Sequence, residues 1–159
     1  MKTAAKLSPL RIALLGNPNC GKTALFNLLT GSHQKVANYA GVTVERKEGN
    51  FQTPSGRQVV VLDLPGAYSL NAISADEQVA HDVVTGSRRD EPVPDLLVCV
   101  VDATNLRRGL RLVWAVKRLG LPCLVVLNMA DLAAQEAATL SYGHQRLLEV
   151  AMGLALNPR

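Results

Sequence analysis

No apolar run in the sequence approaches the roughly 20 residues that a membrane-crossing helix needs. The N-terminal stretch MKTAAKLSPLRIALLG carries basic residues, but its apolar part is short and runs straight into a glycine-rich motif, which predicts no signal peptide. The expectation is a soluble chain, cytoplasmic by default. Cysteine is scarce: Cys20, Cys99 and Cys123 are odd in number and share no CxxC or zinc spacing. Cys99 and Cys123 lie in apolar runs, so core thiols are expected. His33, His81 and His144 have no spacing suited to a metal or a catalytic relay and read as surface or capping residues. The formal net charge is +4, yet no block of five or six like charges occurs, so nucleic-acid binding is not implied. Internal repeats and low-complexity segments are likewise absent from the sequence.

What is present fits one domain. A chain of 159 residues buries about two-thirds of its unfolded surface in a single core, and residues 1–159 leave no room for a second folded unit. Apolar runs rich in Val, Leu and Ile alternate with helical patterns, the signature of crossover units on a parallel sheet. Leu10 to Leu15 reads as the first strand and Thr23 to Leu29 as the first helix. Val44 to Gln52 and Arg57 to Leu62 read as strands joined by the turn TPSG, an antiparallel hairpin. A helix around Ala75 to Val84, a strand Leu96 to Val101, a helix Leu106 to Leu119, a strand Leu121 to Leu127 and a last helix within Leu132 to Met152 follow, with Gly86 to Pro94 as a loop. The expected class is α/β, three-layered, with a mostly parallel sheet and one antiparallel edge strand. On the helix from Leu106, the basic residues Arg107, Arg108, Arg111, Lys117 and Arg118 are read as a solvated face beside a core stripe of Leu106, Leu110, Val113 and Trp114.

Gly16-Asn17-Pro18-Asn19-Cys20-Gly21-Lys22-Thr23 satisfies GxxxxGK[ST] and lies between a predicted strand and a predicted helix, as a phosphate-binding P-loop requires. Gly16 and Gly21 let the backbone turn tightly and aim successive N–H groups inward, with Asn17, Asn19, Cys20, Gly21, Lys22, Thr23 and Ala24 as the candidate binding residues, where the helix N-terminus adds partial positive charge. Lys22 adds a full charge toward the β- and γ-phosphates, and Thr23 offers Mg²⁺ a hard oxygen ligand. Forty residues beyond Thr23, Asp63-Leu64-Pro65-Gly66 forms a DxxG at a strand end. Asp63 is placed to hold Mg²⁺ through a water, and the Gly66 N–H to reach a γ-phosphate where no side chain intervenes. Between them Gly41-Val42-Thr43 lies in a polar loop, and Thr43 is the candidate for the second hydroxyl ligand, leaving the metal when the γ-phosphate goes. Read singly, Thr43 is equally a strand-edge residue.

Asn128-Met129-Ala130-Asp131, directly after an apolar strand, matches the guanine motif NKxD with Met129 in place of lysine. Asp131 can accept from N1–H and the 2-amino group of guanine. Adenine offers neither donor and would leave a desolvated carboxylate unpaired, a mismatch that such sites reject by about 10⁴. GTP is therefore expected over ATP, with the methionine keeping the apolar stem along the base.

The wording around these four elements resembles the G domain of the bacterial ferrous-iron transport protein B family. The matching stretches are residues 16–49, DLPGAYSL (63–70), DEQVAHD (76–82), VVDATNLRRGL (100–110) and LGLPCLVVLNMADLA (119–133). The resemblance implies a P-loop NTPase G domain followed by a helical domain and a membrane permease whose iron passage is controlled by slow GTP turnover at the inner face of the bacterial inner membrane. It assigns Gly16, Asn19, Gly21, Lys22 and Thr23 to phosphate, Thr43 to the first switch, Asp63 and Gly66 to the second, and Asn128 and Asp131 to guanine. Asn19 further implies K⁺ beside the phosphates, offsetting developing charge as an arginine finger would.

Ala67 stands where many GTPases place a water-orienting glutamine, so slow turnover is expected, with the water held by Thr43 and Gly66 backbone groups and the charge met by Lys22 and Asn19. After Asp131 the family pattern needs roughly thirty residues to reach a second base-contacting loop, which the sequence to Arg159 does not contain. That departure predicts weaker nucleotide binding and a homodimer covering the exposed edge through the C-terminal segment. Two other readings stay open: a nucleotide-responsive binding module with little hydrolysis, and an RNA- or ribosome-associated GTPase.

Overall fold

The computed structural model describes residues 8–31, 34–71 and 73–129. Their elements, in chain order, are β1 (Leu10–Gly16), α1 (Lys22–Thr30), β2 (Gln34–Asn38), β3 (Glu45–Gln52), β4 (Gln58–Asp63), α2 (Ala75–Thr85), β5 (Leu96–Asp102), α3 (Leu106–Arg118) and β6 (Cys123–Asn128), with a short 3₁₀ turn Ala103–Asn105 before α3. The predicted last helix lies outside the described residues.

The strands form one six-stranded sheet in the order β2-β3-β4-β1-β5-β6. β1 pairs in parallel with β4 and β5, and β5 in parallel with β6. These four read IALL, VVVL, LLVCVV and LVVL, continuous apolar runs suited to strands covered on both faces. The antiparallel part is larger than the single edge strand expected: β3 pairs with β4, and β2 adds outside β3 with Gln34 opposite Gly49 and Asn38 opposite Glu45. β2 escaped the sequence reading because QKVAN has no apolar alternation; only backbone pairing makes it a strand, and its exposed Lys35 suits an edge. The hairpin turn falls at Thr53-Pro54-Ser55-Gly56, as expected, with the Gly56 N–H donating to the Thr53 carbonyl at 2.8 Å.

Side chains alternate across the sheet. Ile12 and Leu14 of β1, Val59 and Val61 of β4 and Val98 of β5 bury with Phe26 of α1 on one face. Ala13, Leu15, Leu62, Leu97 and Cys99 bury on the other against Val79, Val83 and Val84 of α2 and Leu112 and Val116 of α3. The result is the expected three-layer α/β fold. Cys20 and Cys99 are buried and Cys123 half-buried; all three are free thiols, with the Cys123 Sγ 3.4 Å from the Cys99 Sγ.

One packing expectation is overturned. On α3 the residues that meet the sheet are Gly109, Leu112 and Val116, with Val113 partly buried against the same core. Leu106, Leu110 and Trp114, read from sequence as part of the core stripe, are 43%, 52% and 65% exposed. Gly109 explains the rotation: a β-carbon there would collide with the Val101 side chain, so α3 lies closest to β5 along its glycine and turns the Leu106 side outward.

Candidate functional site

Parallel α/β sheets collect ligands beyond the carboxyl ends of their strands, and there the sequence motifs gather. Register places Leu14 beside Asp63, Gly16 beside Val100 and Asp102 beside Asn128. The pairing of β1 with β4 continues past the strands, since Leu64 N–H donates to the Leu14 carbonyl and Ala67 N–H to the Gly16 carbonyl, both at 3.1 Å. The phosphate loop and the DxxG are thus stitched together by backbone.

Between β1 and α1 the loop turns on two residues with positive φ, Asn19 at 61° and Gly21 at 91°. Asn19 is the only non-glycine among the described residues in that region; asparagine tolerates it better than most side chains, and such outliers concentrate at functional sites. Gly66 approaches so closely that a β-carbon would stand 3.0–3.1 Å from the Pro18 ring and backbone, which is why the DxxG ends in glycine. A cleft of about 470 Å³ opens here, lined by Asn17, Pro18, Asn19, Gly21, Lys22, Thr23, Ala24, Gly66 and Asp76.

The chemistry at its floor is charged and hard. Lys22 Nζ lies 2.7 Å from Asp63 Oδ1, both side chains largely buried, and Thr23 Oγ1 lies 3.4 Å from Asp63 Oδ2. One hydroxyl and one carboxylate beside this cleft are hard oxygen donors of the kind that suits Mg²⁺. Cys20 is buried, and desolvation pushes its thiol pKa up, so it contributes backbone rather than nucleophile. Its carbonyl accepts from Asn128 Nδ2 at 3.0 Å, tying the base motif at the end of β6 to the phosphate loop.

Not every predicted residue joins this cleft. Thr43 is exposed in the loop between β2 and β3 and is not among the lining residues. That loop is closed by Tyr39 N–H donating to the Val44 carbonyl at 2.9 Å and Val42 N–H to the Tyr39 carbonyl at 3.2 Å. Met129 is half-buried just past β6, and Asp131 lies outside the described residues.

Two residues absent from the sequence-based site belong near it. Asp76, in the first turn of α2, lines the cleft. Glu77, buried one residue on, accepts the backbone N–H groups of Tyr68 (3.1 Å), Ser69 (3.2 Å) and Ile73 (3.2 Å), holding the segment after the DxxG. Burial raises its pKa, but those amide bonds and that of the Ser74 cap more than offset it, so the carboxyl sits below its ordinary range. The signal was present: Ser74 through Glu77 has the S-x-x-E spacing of a capping box, and Ser74 Oγ accepts from Glu77 N at 3.1 Å.

The loop after α2 grips the loop between β2 and β3. Arg88 Nη2 donates to the Ala40 carbonyl at 2.9 Å, and its guanidinium lies 5.2 Å from the Tyr39 ring centroid. Glu91, buried, accepts from Arg11 of β1 and Arg46 of β3, each at 2.6 Å.

Comparison with known proteins agrees with this geometry. A family model described as ferrous iron transport protein B matches residues 10–155. The Fe(2+) transporter FeoB of Escherichia coli K12 is 53% identical over 135 residues, 82% of this chain but 17% of that protein. The chain therefore spans about a sixth of the length of the curated relatives it matches. Among solved structures, the G domain of the T. maritima FeoB iron transporter is 39% identical with a TM-score of 0.71, covering 79% of this chain and 76% of that one. A variant of S. thermophilus NFeoB bound to mGDP is 43% identical with a TM-score of 0.70, covering 82% of this chain and 47% of that one. With its phosphate loop and DxxG meeting at one cleft and Asn128 tied to that loop, the chain belongs to the ferrous iron transport protein B family and carries its nucleotide-binding G domain.

Proposed function

We propose that this chain binds guanine nucleotides with Mg²⁺, hydrolyses GTP slowly with K⁺ assistance, and acts as the switch for ferrous-iron uptake through a membrane permease at the cytoplasmic face. The observation that carries the reading is the contact of buried Asp63 with Lys22 and Thr23, both of which line one cleft beneath a glycine-turned loop. Lys22 and the loop amides would hold the phosphates, Thr23 and Asp63 the metal, and Asn19 would assist K⁺ beside the same oxygens. When bound, Mg²⁺ neutralises charge developing on the transferred phosphoryl group. Thr43 completes the metal site only after its loop moves inward, which makes that loop the moving part of the switch. Gly66 N–H meets the γ-phosphate, and Asp131 selects the base. Self-association through the C-terminal segment is part of the proposal and is tested by light scattering across micromolar concentrations.

Ala67 favours a second reading. It is fully buried with its N–H committed to the Gly16 carbonyl, so no side chain follows the DxxG to orient water. A binding module with little turnover fits that feature as well. Calorimetry with Mg²⁺ on the wild type and Asp131→Ala, together with phosphate release in K⁺ and Na⁺ buffers, separates the readings. A guanosine preference lost in the variant and a faster rate in K⁺ are expected. Binding without any cation-dependent rate selects the module, and equal affinity for adenosine and guanosine nucleotides refutes both.

A further inference from the structure

The outward side of α3 does not line the cleft, yet it stands out among the described residues. Over thirteen residues, LRRGLRLVWAVKR, the helix carries five basic side chains and no acidic one. Leu106, Leu110 and Trp114, each four residues after the last, form an exposed apolar line about 12 Å long. Arg107 and Arg111 run alongside it, and Lys117 and Arg118 close its end. None of these four takes part in an ion pair among the described residues. Arg108 lies 5.9 Å from the ring centroid of Tyr68.

A helix face that is merely solvated mixes charge signs and gains from pairs four residues apart; here Arg107 and Arg111, at that spacing, repel. Nor is the line a core stripe, since the sheet is met through Gly109, Leu112 and Val116 on the opposite side. Leucines and an indole flanked by cations on one amphipathic face are what an anionic lipid surface accepts: the apolar line enters the headgroup boundary, the indole sits at its level, and the arginine and lysine stems extend to the phosphates. An acidic protein helix would satisfy the charge, but the exposed indole fits a lipid boundary better. The family is that of a membrane transporter, so such a surface is within reach.

We infer that α3 is a membrane-docking face, with Leu106, Leu110 and Trp114 entering an anionic bilayer surface and Arg107, Arg111, Lys117 and Arg118 binding lipid phosphates. Docked this way, the domain would hold a fixed orientation at the bilayer independently of nucleotide.

Trp114 is the single tryptophan of the chain, so its fluorescence reports this face alone. The test uses the full chain with vesicles of phosphatidylcholine, with and without phosphatidylglycerol. In the free chain Trp114 is expected to emit as water-exposed indole and to be quenched by acrylamide. On phosphatidylglycerol vesicles the emission shifts to the blue, quenching falls, the chain co-sediments, and raised salt reverses all three. Replacing Arg107→Gln and Arg111→Gln together is expected to weaken binding about 25-fold, roughly fivefold per charge. Leu110→Ser weakens it with the charge intact, while Lys35→Gln on the distant edge strand leaves it unchanged; unaltered thermal unfolding shows that each variant is folded. The inference is overturned if Trp114 is already shielded in the free chain, which would mean that the chain itself covers the face. It is also overturned if the vesicles bind no protein, if the double variant binds as well as the wild type, or if the spectrum changes only on adding an acidic protein.

Discussion

Lys22 Nζ and Asp63 Oδ1 lie 2.7 Å apart, so the cation of the phosphate loop and the carboxylate of the DxxG neutralise one another. Each is also the group that the proposed function assigns to a different part of the bound nucleotide: Lys22 to phosphate, Asp63 to the metal. Binding a Mg²⁺–nucleotide complex then means exchanging one ion pair for two better ones.

That exchange gives the first prediction. Asp63→Asn frees Lys22 from its carboxylate while removing the metal's protein anchor, so nucleotide affinity measured without Mg²⁺ should hold or rise. The gain on adding Mg²⁺ should be lost. Lys22→Ala should lower affinity in both conditions by about 10- to 100-fold, the worth of a charge-assisted hydrogen bond. Titration with a fluorescent guanine nucleotide, with Mg²⁺ or with chelator, measures both. If Asp63→Asn keeps the full Mg²⁺ effect, its assignment to the metal is wrong.

A second prediction concerns Asn128, whose amide donates to the Cys20 carbonyl and so joins the base motif to the phosphate loop. Asn128→Ala should cost about 1 kcal/mol of stability from that bond. It should also weaken binding of guanine nucleotides and of inorganic triphosphate alike, because the loop itself loses support. Asp131→Ala, by contrast, should spare triphosphate binding. A variant of Asn128 that affects only the base would contradict the tie.

Glu77 makes stability depend on pH. Its folded-state pKa lies below the ordinary 4.5 because the amides after the DxxG donate to it. A depressed carboxyl stabilises the fold above its unfolded pKa, and the contribution is lost as pH falls through the lower folded value. Thermal unfolding of wild type and Glu77→Gln should therefore differ most near neutral pH and converge as the pH drops below about 4. A constant gap down to strong acid would show that the charge is irrelevant.

Tyr39 is buried, yet its hydroxyl has no hydrogen-bond partner among the described residues, and burial pushes its pKa up. An unsatisfied buried hydroxyl is costly, so Tyr39→Phe should keep the ring beneath Arg88 and stabilise the fold by about 1 kcal/mol. Chemical denaturation gives the difference directly. A destabilised Phe variant would mean that the hydroxyl is paired after all.

Much of this was readable in the sequence because phosphate chemistry demands fixed spacing. Gly16 to Thr23, Asp63 to Gly66 and the strand before Asn128 carry their own geometry, and the structure brings the first two to one cleft and ties the third to it through Asn128. What escaped had weaker local signatures. The β2 strand is polar and exists through pairing with β3, which no property of Gln34 to Asn38 announces. On α3 both sides carry apolar residues at helical spacing, so periodicity could not choose between them; the closeness of Gly109 to β5 decides, and that is a tertiary fact. Glu77 enters the sequence reading only within DEQVAHD, although Ser74 three residues earlier marks it as a helix-start partner. Thr43 reads as a metal ligand from its polar loop between the two phosphate motifs and from the family resemblance, and in this structure it is not among the residues lining the cleft.

The helix α2 is fastened at both extremities. At its start Glu77 clasps the amides that follow the DxxG, and just beyond its end Arg88 holds the Ala40 carbonyl and covers Tyr39. Eleven helical residues make a rod about 16 Å long, much stiffer than either loop it touches. The segment after the DxxG and the loop at Ala40 are thereby joined through one rigid element, and on the proposed function that element is a lever between the two parts of the switch.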